Sequence, residues 1–286
     1  MTRSSGLSAT PSITQEEVHT PIAFGSFHAY QTQTIKNLPF WQPCLIMVQT
    51  GVKRLQCRQQ ETQVQAGEMV LIPAGIRCQL ENQPDATAGE YRALAFELSQ
   101  KDVESLARQL NLTPAPVMST GGFCTLKPNP QQQQVMRAII SSVTEAQLHP
   151  AIIRHRLQEL LLHWIIQNAQ IWPLLQPRSA SITCQVQALV AEAPDRNWTL
   201  ALLAAKLHRS VATLSRQLKE EQSGLRAILD DVRLVQAFNL LQTTHASLDQ
   251  VAEQCGYQSL ARFSERFRAY FGLTPAQLRR TREPVS

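Results

Sequence analysis

The chain has 286 residues, a formal net charge of +5, 43% hydrophobic residues and six cysteines. That length suits two domains, each with a core of its own. The apolar runs are too short to cross a bilayer, and the positive excess favours polyanionic partners only mildly. Cys44, Cys57, Cys78, Cys124, Cys184 and Cys255 lie far apart without a C-x-x-C pair. They predict buried thiols in a reducing cytosol, not a disulfide framework or a zinc site.

The opening stretch MTRSSGLSATPSITQEE lacks the apolar centre of a signal sequence, so a soluble, cytoplasmic protein is expected. From about residue 20 to 98 the runs PCLIMVQ, KRLQCRQ, TQVQAG, EMVLIPAG, RCQLEN and YRALAFEL are separated by turn residues. Their alternation predicts strands, and many short strands predict a small sandwich or barrel. QKDVESLARQL reads as a helix and TPAPVMSTGG as a loop. The period then changes. Val135, Met136, Ile139, Ile140 and Val143 recur at helical spacing, as do Ile152, Ile153, Leu157, Leu160, Leu161, Trp164 and Ile165. Two amphipathic helices within residues 132–169 follow, able to pack on the barrel or on a second subunit, and they predict a homodimer in equilibrium with monomer. His149, His155 and His163 are spaced by six and eight residues, too irregularly for a metal pair, and Trp164 and Trp172 read as core. Pro173, Pro177 and the small polar run RSAS divide the chain into domains at 1–172 and 181–286 with a linker at 173–180.

Beyond the linker every segment reads as helix. Ser181 can cap a helix with Ile182, Val186, Leu189 and Val190 on one face. Thr199 precedes LALLAAKL, HRS and VATLSRQLKEE; Ser247 and Gln250 form a capping-box pair before LDQVAEQC, GYQS and LARFSERFRAYF. The segments superpose at offsets of 48 residues for the first helix and 49 for the second, a weak repeat of helix, turn, helix with Ala204 and Ala252 at the close approach. At about 100° per residue, Leu214 and Leu218 face inward while Ala212, Thr213, Arg216 and Lys219 face outward. In the later copy Leu260, Phe263 and Phe267 face inward, Ala261, Arg262, Glu265 and Arg268 outward, with Arg266 on the flank. Such helices can enter a major groove, where Arg offers two donors to guanine and neighbouring cations hold phosphates. A single copy is equally an ordinary amphipathic surface helix; two copies shift the balance toward DNA. GLRAILDDVRLVQAFNLLQTT between them predicts a linker helix rising about 27 Å, near the spacing of successive major grooves. Arg233 on that helix reads as an internal ion-pair partner, with Asp230 one candidate.

Residues 181–282 resemble the DNA-binding domain of the AraC/XylS family of bacterial transcription regulators. The resemblance rests on R-L-x-x-A-x-x-L-L at Arg233 to Leu241, A-E-x-C-G-Y-x-S at Ala252 to Ser259, and F-S-x-x-F-x-x-x-F-G-x-T-P at Phe263 to Pro275. It implies two helix-turn-helix units reading an asymmetric site on double-stranded promoter DNA. It places base contacts at Ala212, Ser215 and Arg216 and at Ala261, Arg262 and Glu265, with Thr213 beside the first set and Lys219, Arg266 and Arg268 near phosphates. His208 departs from the family, which often has glycine in that turn. The stretch Gly67 to Gly75 resembles the turn-strand-turn of the family's cupin-like effector domains. The implied fold is α+β: a cupin-like β-barrel with two trailing helices, then an all-α reader.

A metal-dependent cupin enzyme needs an H-x-H cluster with a carboxylate. The strand region has only His28, and Cys78 stands where many relatives carry histidine, so neither catalysis nor a bound cofactor or metal is expected. The order of domains is similar to the enteric stress and virulence branch of the family, some of whose members hold fatty acids. Lys36, Lys53 and Arg54 are then the candidate cations for a carboxylate effector, although lysine at strand ends also serves solubility. The expected function is a sequence-specific regulator, an activator working with RNA polymerase. The alternatives are an N-terminal domain occupied by a partner protein, or a cupin-type enzyme carrying a DNA-binding domain.

Overall fold

The computed structural model describes residues 24–113, 122–144, 150–176 and 181–284. His149, most of the TPAPVMSTGG loop and Pro177 fall outside the described residues.

Among the described residues, nine strands form the first half: β1 (Phe24–Ala29), β2 (Gln33–Phe40), β3 (Cys44–Thr50), β4 (Val52–Cys57), β5 (Gln60–Gln65), β6 (Met69–Ile72), β7 (Ile76–Gln83), β8 (Tyr91–Glu97) and β9 (Cys124–Leu126). They make two antiparallel sheets, one ordered β1-β8-β3-β6-β9 and the other β2-β7-β4-β5. The expected barrel is therefore a pair of separate sheets that do not join edge to edge. The five-stranded sheet is covered on both sides, which the unbroken apolar runs of β3 and β6 record. Cys44, Ile46 and Val48 of β3 and Val70 and Ile72 of β6 face the core shared with the second sheet. Leu45, Met47, Met69, Leu71, Leu94 and Phe96 face the helices behind.

Those helices are α1 (Gln100–Leu110), α2 (Pro130–Thr144), α3 (Pro150–Gln167) and α4 (Ile171–Leu175). Ser99 and Asp102 close a capping box at the start of α1, and Asn111 ends it in the left-handed conformation. Leu157, Leu160, Leu161, Trp164, Ile139 and Trp172 pack on the sheet, so α2 and α3 cover their own chain's strands. The outer side of α3 leaves Ile152 and Ile166 exposed, Ile166 at 70%. Leu175 is fully buried, so helix extends into the stretch expected to be linker.

Cys57 and Cys78 form a disulfide, contrary to the expectation of free thiols. Sequence separation hid the pairing. Gln56 pairs with Gln79 across β4 and β7, and one step on, the two cysteines face each other with Cα atoms 4.4 Å apart.

The second half comprises α5 (Ile182–Glu192), α6 (Leu200–Lys206), α7 (Val211–Glu220), α8 (Leu225–Thr243), α9 (Leu248–Gln254), α10 (Leu260–Phe271) and α11 (Pro275–Arg280). Its core is split. Val186, Val190, Leu203, Leu214, Leu218, Ile228 and Val232 form one cluster. Phe238, Leu241, Val251, Phe263, Phe267, Phe271 and Leu278 instead continue the core of the sheets. The second helix-turn-helix unit thus packs against the N-terminal domain, and no helix among the described residues is long and apolar enough to cross a membrane.

Candidate DNA-reading faces and the cavity beneath the linker helix

Each reading helix is started by a hydroxyl cap. Ser210 accepts from the backbone N–H of Thr213, and Ser259 from that of Arg262. Thr199 caps α6, and Ser247 with Gln250 closes the capping box of α9. In the first turn His208 adopts φ +53, the left-handed backbone that glycine takes more cheaply. In the second turn Gly256 has φ +77, and a Cβ there would lie 3.1 Å from the guanidinium carbon of Arg233. Arg233 donates to the carbonyls of Pro194 and Arg196 at 2.8 and 3.1 Å. It ties the α5–α6 loop to the linker helix under the second turn, by backbone carbonyls and not by a pair with Asp230.

Burial fixes which faces point outward. Leu214, Leu218, Phe263, Phe267 and Phe271 are buried, the three phenylalanine rings packing in sequence, edge to face and then tilted, at centroid distances of 5.7 and 4.7 Å. Ala212, Arg216, Lys219, Ala261, Arg262, Glu265, Arg266 and Arg268 are exposed, and Thr213 and Ser215 half-buried. Arg216 meets Glu220 one turn on at 3.7 Å, with its side chain 72% exposed. Such a pair contributes little and leaves the guanidinium free to swing into solvent. Arg266 reaches Asp230 of α8 at 3.8 Å, so it is drawn toward the linker helix more than the other cations of its face. The 19 residues of α8 rise about 28 Å between the two units.

The same helix walls a cavity of about 230 Å³. Both sheets contribute apolar walls through Phe27, Ile35, Leu38 and Ile46, α8 adds Val235 and Phe238, and Asn82 and Glu97 are polar lining residues. Lys53 is the one cation of the three expected candidates that lines it. It sits in phase with Leu55 and Cys57 on β4 and is 4% exposed. Burial lowers its pKa from the ordinary 10.5 to about 7, against the smaller opposing influence of Cys44. Its ammonium donates to Asn82 Oδ1 at 2.5 Å and lies 5.3 Å from the ring centre of Tyr91. Arg54 is on the opposite face, paired with Glu81 at 3.5 Å. Lys36 is exposed, in a β-bulge opposite β7, with its aliphatic stem over Gly272. A Cβ at Gly272, which ends α10 with φ +84, would lie 3.0 Å from Lys36 Cδ.

Sequence reasoning missed a clamp between the halves. Arg77 of β7 donates to Tyr270 Oη at 2.5 Å and pairs with Asp231 of α8, while Tyr270 donates to Asp231 at 2.6 Å. Burial opposes the charge on Arg77, but its bonds to Tyr270 and Asp231 raise its pKa above the ordinary value. Burial and the adjacent Asp231 raise the Tyr270 phenol well above its usual range. The one available signal was an arginine on an outward strand position, its tyrosine partner lying 193 residues further along the chain. Periodicity does not report such pairs. His155 and His163 lie on the outer side of α3, and among the described residues no three His, Cys, Asp or Glu side chains converge as metal ligands.

Two capped helix-turn-helix units on one linker helix, behind a two-sheet half, define a fold of the double helix-turn-helix class. A profile for a helix-turn-helix domain matches residues 203–281, and one for the ExsA N-terminal regulatory domain matches residues 43–172. The chain thus carries an AraC-type helix-turn-helix domain and an ExsA-type N-terminal regulatory domain. It is 32% identical over 121 residues to the HTH-type transcriptional regulator GadX of Escherichia coli O6:H1, covering 41% of this chain and 43% of that one. It is 33% identical over 104 residues to the urease operon transcriptional activator of Escherichia coli, covering 36% and 34%. The matches therefore span less than half the length of these relatives. The whole fold is similar to ToxT from Vibrio cholerae strain SCE256. The apo form of a ToxT variant superposes with a TM-score of 0.68 at 15% identity, covering 93% of this chain and 99% of that one. Wild-type ToxT with a bound unsaturated fatty acid gives 0.63 at 15%, covering 92% and 96%.

Proposed function

We propose that the chain is a sequence-specific transcription regulator, an activator acting with RNA polymerase in the cytoplasm, whose N-terminal domain controls how α7 and α10 meet DNA. One observation carries the reading: α8 both joins the two reading units and forms a wall of the cavity holding Lys53. A ligand in that cavity touches the element that sets the spacing of the readers. Base reading falls to Ala212, Ser215 and Arg216, with Thr213 beside them, and to Ala261, Arg262 and Glu265; Lys219, Arg266 and Arg268 hold phosphates.

The ligand class follows from the lining. Apolar walls with a single buried amine suit a monocarboxylate with a hydrocarbon tail, because the anion recovers the charge that burial suppresses on Lys53. The fatty acid bound in the ToxT structure supports that class. No step of this reading calls for catalysis. Self-association through the outer side of α3, where Ile152 and Ile166 lie open to solvent, is a further part of it. Selection of duplexes from a random pool by the full chain tests the central statement. A recovered consensus bound tightly and with strong salt dependence is expected; recovery of no consensus contradicts it.

A further inference from the structure

Gln33, Asn82, Gln242 and Thr281 are polar yet buried where the cavity meets the DNA-binding half, at 1%, 2%, 0% and 9% exposure. Polar groups in such a place are costly unless joined by hydrogen bonds. These form a single line. Lys53 donates to Asn82 Oδ1 at 2.5 Å, and Asn82 Nδ2 donates to Gln33 Oε1 at 3.1 Å. Gln33 Nε2 donates to Thr281 Oγ1 at 2.5 Å, and that hydroxyl donates to the carbonyl of Leu278 at 2.6 Å. Every donor points away from the cavity and toward the end of α11. Gln242 of α8 reaches Gln33 Oε1 with its Nε2 at 3.5 Å, while its own Oε1 is buried without a partner.

Such a line has two polarities. Each amide offers a donor on one side and an acceptor on the other, so turning both Asn82 and Gln33 reverses the whole sequence. Thr281 would then release Leu278 and donate to Gln33, Gln33 would donate to Asn82, and Asn82 would turn its N–H toward the cavity. With Gln242 turned as well, Gln33 Nε2 supplies the partner that Gln242 Oε1 lacks. In its protonated form Lys53, held at Asn82, forbids this arrangement because an ammonium can only donate. An anion that draws the ammonium to itself removes the prohibition, and its second oxygen can accept from Asn82. Cys44 and Glu97 also line the cavity, and the Tyr91 ring faces Lys53; none of them accepts a hydrogen bond from Lys53 in place of Asn82.

We propose that Asn82, Gln33 and Gln242 form a polarity relay through which an anion bound at Lys53 resets the hydrogen bonds that hold α8 and α11 to the N-terminal domain. The proposal rests on the reading of the cavity as a carboxylate site. One end of the relay lies at Lys53 in the N-terminal domain and the other, at Gln242 and Thr281, in the half that carries α10, where the Thr281 carbonyl also accepts from the backbone N–H of Tyr30 at 2.7 Å. The relay residues position the reader; none of them touches DNA.

The test uses the full chain, decanoate as the probe, calorimetry for ligand binding, and anisotropy of a selected operator duplex with and without saturating decanoate. In the wild type, decanoate should change the DNA Kd by about fivefold or more. Gln33→Leu, and Thr281→Val as a shape-conserving variant at the far end, should bind decanoate within about threefold of wild type yet shift the DNA Kd by less than about twofold. If both variants bind decanoate and keep the wild-type shift, the relay is wrong while the cavity reading stands. A wild type that binds decanoate without any change in DNA Kd overturns the relay as well. Failure of the wild type to bind decanoate, or equal binding by Lys53→Met, removes the cavity reading and the relay together.

Discussion

Lys53→Met should stabilise the chain near neutral pH and lose that advantage in alkali. Burial brings the Lys53 pKa from 10.5 to about 7 in the folded state. Between those two values the unfolded chain holds the proton and the folded chain releases it, so wild-type stability rises with pH across this window. Integrated, the deficit is about 4 kcal/mol at pH 7 and about 1 kcal/mol at pH 9.5. Met fills nearly the same volume with no charge, but it leaves Asn82 Oδ1 without the donor it has at 2.5 Å. That loss costs about 1–3 kcal/mol. The variant should therefore be about 1–3 kcal/mol more stable than wild type at pH 7 and equal or less stable at pH 9.5. Urea unfolding followed by circular dichroism at both pH values measures the difference. A variant less stable at both values, or a difference flat with pH, would refute the burial argument.

Arg77→Ala should loosen the contact between the halves, lowering stability by about 1 kcal/mol once the 42% exposure of the Arg77 side chain is allowed for; an unchanged urea midpoint would show the clamp to be idle. Residues 178–286 alone should fold and bind DNA with salt-sensitive affinity, and a soluble fragment without such affinity would count against the assignment of α7 and α10 as readers. Residues 1–175 should sediment as a monomer–dimer mixture, and Ile166→Asp should weaken the dimer about tenfold or more by placing a charge in an apolar contact; a wild-type fragment that stays monomeric at high concentration would exclude the α3 face.

Much of the fold was legible because burial imposes a period. The unbroken apolar run CLIMV marked β3, the alternation in RCQLEN marked β7, and the caps at Thr199, Ser247 and Ser181 marked helix starts that the structure reproduces. The short β1 and β9 have little pattern to read, and β2 hides its alternation behind the bulge at Lys36 and Asn37. The cation of the cavity was half legible. Lys53 is in phase with Leu55 and Cys57, which singles it out from Lys36 and Arg54, but only if strand phase is carried from one residue to the next. The Cys57–Cys78 bond, the Arg77–Asp231–Tyr270 clamp and the line from Lys53 to Thr281 were not legible. Each joins residues distant in sequence, and single-chain periodicity holds no term for strand register or for how one domain lies on another.

The central claim is that the outer faces of α7 and α10 read bases, and single substitutions at four exposed cations test it most directly. Arg262 lies in the first turn of α10 with Arg268 six residues further along, whereas Arg216 lies mid-way along α7 with Lys219 three residues beyond it. Affinities of the four alanine variants should be measured on a selected operator and on a random duplex at several salt concentrations. Arg216→Ala and Arg262→Ala should each cost about 1–3 kcal/mol on the operator, much less on random DNA, and relax preference at one or two base positions. Lys219→Ala and Arg268→Ala should weaken both duplexes about equally and reduce the salt slope by about one ion each. Equal loss on both duplexes for Arg216→Ala and Arg262→Ala would contradict base reading by these arginines and move specificity to Ser215, Glu265 or the shape of the DNA.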